Sequence, residues 1–451
     1  MVFLGAAGLL ALLGAAPGTH SSGHLGVLPL RQAAPTFGGR LFGFAYGSST
    51  TRLARIDPAT LRALPGRSPP LPGVLAWAAS PDRSRLAVAE CGRGSSCRGL
   101  VQLFAMPSMR PLGRRIAIGP PAVALSWAGN DRLLVLAGHC CAGSAEVVSL
   151  SAHSGTVSER RRVPGTVVRY ARSKTGFVLL AAPRNRIGVA ELVVADGLRL
   201  RTVKLARVEA GFVPGGIRNA AISTDRFPGL ALDCSSRRAY VADPDGTIAT
   251  VSLRSLKVFY HRPSTSRTLF ERLGSWLEPT AQAKGDRGPW RQAQWLGDGL
   301  LAVTGIDWHA TGSVSGNVIS ETLHERPAGL EIVNTRTWQQ QTLDPNADTI
   351  RVTDGLLLAT GTRWDVTPGR NRTSGEGLIA YDAQGGVRFR LFAGRSVYVN
   401  VVIERHAYVT VTAPSGHHHE YSVDLRTRSV TARPDSEWPW LLLGAAQPDS
   451  G

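Results

Sequence analysis

One hairpin signature returns along this chain at a period of about 45 residues, and a repeat of that length leaves few folds open. In each copy an aliphatic or aromatic residue precedes Asp, Asn or Ser. A polar turn follows, and a last strand closes the hairpin. The clear copies are Arg55-Ile56-Asp57, Thr250-Val251-Ser252, Ile332-Val333-Asn334, Ala380-Tyr381-Asp382 and Ser422-Val423-Asp424, with weaker ones near Ala105, Ser151 and Asp196. Short polar side chains suit that place because they hydrogen-bond the turn backbone. Anchors at 57, 105, 151, 196, 252, 334, 382 and 424 lie 48, 46, 45, 56, 82, 48 and 42 residues apart. Most of these intervals match one four-stranded propeller blade of ~40–50 residues.

An opening half matches the closing one. Val74 to Val88, Val123 to Val135 and Gln294 to Val303 each carry an apolar strand up to Trp77, Trp127 or Trp295. Each then turns through Asp or Gly and resumes at once as an aliphatic strand. With 50 Gly and 28 Pro in 451 residues, about one position in six forms turns, so long helices cannot dominate. The 43% hydrophobic content against 19% charged excludes wholesale disorder. The expected fold is all-β, a β-propeller of four-stranded blades.

Eight closing hairpins favour eight blades, with seven the nearest alternative. Leu41 to Gly47 and Arg52 to Leu64 supply three strands with no opening strand before them, and Trp438 to Leu443 supplies one strand with nothing after it. Pairing the N- and C-terminal strands completes one blade and removes exposed edges. The ring is therefore expected over 40–445. The 82-residue interval needs an insertion. In Ser264 to Leu277, Leu269, Phe270, Leu273, Trp276 and Leu277 stand at helical spacing, which predicts a helical insertion at about 264–288, a missed ninth blade being the alternative.

Val2 to Ala16 is uncharged and apolar, too short for the ~20 residues that span a bilayer but suited to a signal h-region. Residues 1–18 are thus expected to be a signal peptide, although no Lys or Arg precedes the apolar run. Residues 19–39 follow as a linker, and 446–451 as a tail. No later stretch approaches 20 apolar residues, so no transmembrane helix is expected in the mature chain. The expected location is secreted or cell-envelope. The formal charge is +18, yet only four of the 51 cations are lysine, and the longest basic run is Arg160-Arg161-Arg162. Such scatter fits the arginine bias of a GC-rich genome or a general attraction to polyanions. It does not favour nucleic acid, which would call for a basic tail or helix.

The openings Trp77-Ala78-Ala79-Ser80-Pro81-Asp82 and Leu232-Asp233-Cys234-Ser235-Ser236-Arg237-Arg238-Ala239-Tyr240-Val241-Ala242 resemble those of bacterial TolB-like and YVTN-type repeat propellers, over most of 40–445. The resemblance implies a fold. Such families include protein-binding scaffolds, surface-layer proteins and a few lactonases, so it implies a role only by analogy.

Cys91 and Cys97 bracket a short loop, and His139-Cys140-Cys141 occupies the equivalent loop of the next blade. An exported chain makes disulfides the expectation, since neither Cys-x5-Cys nor adjacent cysteines is ordinary zinc spacing. The pairing favoured is Cys91–Cys97, the local loop reaching bridge geometry most easily. Crossed bridges to Cys140 and Cys141 are the alternative, and Cys234 is left unpaired. His417-His418-His419, with Glu420 beside it, reads as an exposed polar loop. The repeated Asp57, Asp82, Asp298, Asp382 and Asp424 read as turn caps, and Trp77, Trp127 and Trp295 as core. Asn371-Arg372-Thr373 matches a glycosylation triplet. No nucleophile elbow, zinc-protease, phosphate-loop or dinucleotide motif occurs. The sequence therefore assigns no catalytic, cofactor or metal residue. Its expectation is a non-catalytic binding or scaffold propeller for protein or anionic envelope polymer. The alternative is a lactonase-like hydrolase or lyase with a metal in the central funnel.

Overall fold

The computed structural model describes residues 37, 40–46, 51–57, 62–91, 97–138, 144–213, 225–233, 235–265, 290–315, 318–353, 355–367, 370–403, 405–413, 417–432 and 441–443. Their strands form eight antiparallel four-stranded blades set around one axis. Blade 1 takes its innermost strand from the C-terminal end, Leu441–Leu443, and continues outward through Leu41–Tyr46, Thr51–Ile56 and Ala63–Arg67. Phe42, Gly43 and Phe44 pair with Leu443, Leu442 and Leu441, the expected closure.

The other blades are built from the inside out. Blade 2 comprises Val74–Ala79, Arg85–Cys91, Gly99–Ala105 and Arg110–Gly119. Blade 3 comprises Ala122–Trp127, Arg132–Ala137, Glu146–Ser151 and Thr156–Arg162. Blade 4 comprises Thr166–Ser173, Gly176–Ala182, Gly188–Asp196 and Arg199–Phe212. In blade 5 the strands are Gly229–Leu232, Arg238–Ala242, Ile248–Ser252 and Val258–His261. In blade 6 they are Trp290–Gly297, Leu300–Ser315, Leu330–Asn334 and Gln339–Asp344. Blade 7 has Thr349–Thr353, Leu356–Thr367, Arg370–Tyr381 and Val387–Leu391, and blade 8 has Ser396–Ile403, His406–Thr412, His418–Asp424 and Val430–Ala432. Every one of the eight anchors falls at the end of a third strand or one residue beyond it.

The core lies between blades. In Arg132–Ala137, Leu133, Val135 and Ala137 pack against blade 2, while Leu134 and Leu136 pack against blade 4. Gly176–Ala182 behaves alike, with Phe177, Leu179 and Ala181 towards blade 3 and Val178, Leu180 and Ala182 towards blade 5. A second strand sandwiched by two neighbours must be apolar on both sides, so it reads as a continuous hydrophobic run and not an alternating one.

The recurrent tryptophans close these seams. Trp127 donates from Nε1 to Ala78 O of the preceding blade at 2.9 Å. Trp77 meets Phe44 of blade 1 edge-on at 5.8 Å, and Trp295 stacks on Tyr240 of blade 5 at 5.1 Å. After Trp295 the chain reverses through Asp298 and Gly299, both at positive φ (49° and 88°), where an Asp-Gly pair carries little strain.

Two features differ from the expectation. The helical reading starts at Ser264, but Ser264 and Thr265 pair in parallel with Gln339 and Gln340. They continue the exposed edge of blade 6. The rest of 264–288 lies outside the described residues, as do 1–18, 19–36 and 444–451. The 82-residue interval also contains an extension that spacing alone did not reveal, the strand Val318–Pro327, which pairs with the far half of Leu300–Ser315.

Candidate functional site

Strands alternate in direction within a blade, so the ring has two unlike faces. Links from the first to the second strand, and from the third to the outer strand, leave on one face. They are short. Asp382 accepts the Gln384 and Gly386 amides at 3.0 and 2.8 Å, Asp424 accepts those of Arg426 and Thr427 at 2.9 and 3.0 Å, and Asn334 accepts Arg336 N at 2.9 Å. Asp82 holds the Ser80 and Ser84 hydroxyls and Ser84 N, contacts that keep its carboxyl below the usual range. These carboxylates act as caps within their own turns, through backbone amides and, at Asp82, serine hydroxyls.

Links from the second to the third strand, and from blade to blade, leave on the other face. There Cys91 and Cys97 are bridged, with Cα atoms 5.2 Å apart. His139, Cys140, Cys141 and Cys234 lie outside the described residues. His417, His418 and His419 are exposed at the start of a strand of blade 8. Alternation along that strand sends neighbours to opposite sides, so the three do not converge. His418 Nδ1 lies 3.1 Å from Thr412 Oγ1, and Glu420 accepts from Asn400 Nδ2 at 3.2 Å and from Thr410 Oγ1.

Between blades 4 and 6 this face carries an ionic network. Arg226, on the link into blade 5, pairs with Asp243 at 2.5 Å and reaches Glu209 and Asp245 at 3.6 and 3.7 Å. Asp243 also accepts the amides of Glu209 and Asp245 at 3.0 and 3.1 Å. Burial nevertheless pushes its carboxyl up to about 6, against the pull of Arg226. Next to it Arg291 donates to Asp307 Oδ1 at 2.7 Å and Pro244 O at 3.1 Å.

The largest elaboration is a pair of hairpins. Leu300–Ser315 with Val318–Pro327, and Leu356–Thr367 with Arg370–Tyr381, run on past the blades that hold them. They then pair with each other, Leu323, His324 and Glu325 opposite Val366, Asp365 and Trp364. The result is one continuous sheet joining blades 6 and 7. Cross-strand register places Trp308, Glu325, Trp364 and Thr373 in one row and His309, His324, Asp365 and Arg372 in the next. Asn371 of the glycosylation triplet stands on the same sheet, opposite Val366. Sequence reasoning missed this pair. The signals were present in the Asp-Trp-His alternation of 307–309 and the Pro368-Gly369 dipeptide, a turn marker.

Arginines occupy the axis. Arg172, on the innermost strand of blade 4, donates to Trp77 O of blade 2 at 3.2 Å. Arg169 reaches Arg291 O of blade 6 at 3.4 Å, its guanidinium carbon 5.9 and 5.6 Å from the ring centroids of Phe227 and Trp290. Each skips a blade, so each runs along the axial wall. With Arg291 and Arg351 they make four arginines on the innermost strands, where the described residues include no Asp or Glu. No group of three metal-ligating side chains occurs among the described residues.

No family model and no curated protein matches this sequence. Solved structures do. Dihydro-heme d1 dehydrogenase NirN in complex with DHE is 13% identical, covering 92% of this chain and 79% of that one at a TM-score of 0.50. A putative 6-phosphogluconolactonase from Bacteroides uniformis is 14% identical, over 90% of this chain and 99% of that one, at 0.40. Sqt1 of Saccharomyces cerevisiae is 13% identical, over 80% and 84%, at 0.44. At such identities the likeness is one of fold alone.

Proposed function

We propose that this protein is an exported, non-catalytic binding propeller of the TolB-like or YVTN-type kind, holding protein or anionic cell-envelope polymer on its hairpin face. The paired hairpins of blades 6 and 7 carry this reading. Among the described residues they form a sheet that joins two blades, which the four-stranded blade pattern does not require. Its strands carry Arg326, Arg363, Arg370 and Arg372 together with Asp307, Glu321, Glu325 and Asp365, so the preference for an anionic partner rests on the +18 formal charge of the whole chain. The hydrolase alternative needs carboxylates converging on an axial metal. Arg169 and Arg172, which reach across a blade along the axial wall, disfavour a divalent cation there.

The test is binding of the full chain to immobilised polygalacturonate, beside turnover of a γ- and δ-lactone panel. Salt-sensitive binding that disappears when 308–325 and 363–373 are replaced by short turns is the expected result. Lactone hydrolysis that stops with EDTA would overturn the reading.

A further inference from the structure

Eight blades fan out from an axis at about 45° to one another, so the gap between neighbours widens towards the rim and must be filled by side chains or left open. Between blades 2 and 3, on the short-turn face, it is left open. The residues that would fill it are small: Ala105, Gly113, Ala152 and Gly155. A cleft of about 700 Å³ remains, inside the roughly 300–1,000 Å³ range of small-ligand sites.

Its floor is apolar. Leu103 and Ala152 belong to the core between the two blades, and Leu112 packs against that core from the outer strand. Arg85, Arg114 and His153 stand at its rim, Arg115 also lines it, and no carboxylate is among the lining residues. Arg85 is fixed by Asn130 O at 3.3 Å and by Asp131 at 3.9 Å, whereas the Arg115 guanidinium turns away from the cleft to Glu90 at 3.1 Å and Pro70 O at 2.8 Å. Arg114 is exposed and has no ion pair among the described residues. One held guanidinium, Arg85, and one uncommitted one, Arg114, therefore stand beside an apolar floor.

We propose that this cleft binds a small amphipathic anion, a carboxylate or sulfonate on an aromatic or aliphatic body. The apolar body lies over Leu103, Leu112 and Ala152, and the acid group meets Arg114 with Arg85 beside it. The site is on the opposite face from the paired hairpins and does not depend on what they hold.

The test uses the full chain and three probes: 8-anilinonaphthalene-1-sulfonate, its neutral counterpart N-phenyl-1-naphthylamine, and sodium sulfate, followed by fluorescence and calorimetry. The sulfonate should bind at one site and the neutral probe clearly more weakly, with sulfate failing to saturate. Arg114→Glu should weaken the sulfonate about tenfold, as reversing a surface charge beside a bound one does. Ala152→Trp should abolish binding by filling the floor. Should that variant not fold, Arg114→Glu at its exposed position still decides. Equal binding of the charged and neutral probes, saturation by sulfate alone, or sulfonate affinity unchanged in Arg114→Glu would overturn the proposal.

Discussion

The two faces of the ring answer to different constraints. On the short-turn face each link spans the narrow distance between adjacent antiparallel strands, and one solution is used repeatedly: Asp, Asn or Ser accepting amides at the end of a third strand, as at Asn334, Asp382 and Asp424. On the hairpin face the links from second to third strand join adjacent strands as well, but at varied lengths, and those from blade to blade cross a wider gap. They diverge into a disulfide loop, an Arg226–Asp243 network and a sheet shared by blades 6 and 7. A ring needs one face to be regular. The other can vary without cost to closure, and that is where function has room to differ.

Three substitutions and one excision would break or sharpen this contrast. The largest effect is expected at Trp127, at the end of an innermost strand on the short-turn face. Trp127→Ala removes a buried ring and the bond to Ala78 O, and should cost about 3–5 kcal/mol in urea unfolding. A loss under 1 kcal/mol would mean that the seam between blades 2 and 3 is not held there.

Next comes Arg226→Met on the hairpin face, which leaves Asp243 buried without its cation and should cost roughly 2–3 kcal/mol at pH 8. The sign of its pH dependence follows from Asp243. With a carboxyl held at about 6, above an unfolded aspartate, this group favours the fold most below about pH 4, and that contribution is lost as pH rises through about 6. At pH 5 the carboxyl is mostly protonated, so the deficit of Arg226→Met should shrink relative to pH 8. A deficit independent of pH would show that packing, not charge, is what Arg226 supplies.

Asp382→Ala should cost about 1 kcal/mol, since two turn amides lose a polar partner. Its effect should add to that of Trp127→Ala, because the two sites share no contact. The smallest change is expected from the largest excision. Replacing 308–325 and 363–373 by short turns should leave unfolding within about 0.5 kcal/mol of the parent, because loop closure depends only weakly on length. Collapse of the ring in that variant would contradict the division of labour between the faces.

That same division governed what could be read from residues alone. The anchors at 57 to 424, the tryptophans before the turns and the terminal strands each reflect a need that recurs in every blade, so they appear as repetition. The Cys91–Cys97 bridge was legible because a six-residue separation brings the two Cα atoms together without help from another blade. The paired hairpins escaped notice because each occurs once. The extension in blade 7 hides inside an ordinary interval of 48 residues. The axial arginines were invisible for another reason. Arg169 and Arg172 look like solvated cations until the ring bends their strand beside blades 2 and 6, which are distant in sequence.

Closure through Leu441–Leu443 also sets a timetable. The strands of blade 1 that end at Arg67 are made first, yet their inner edge receives its partner only when residue 443 has been synthesised. At ~5–20 residues per second that wait lasts roughly 20–75 s. Throughout it the Leu41–Tyr46 strand offers unpaired backbone to any extended chain that arrives first. The nascent protein therefore has a long interval in which a chaperone, or a second unfinished copy, can take the place meant for its own last strand.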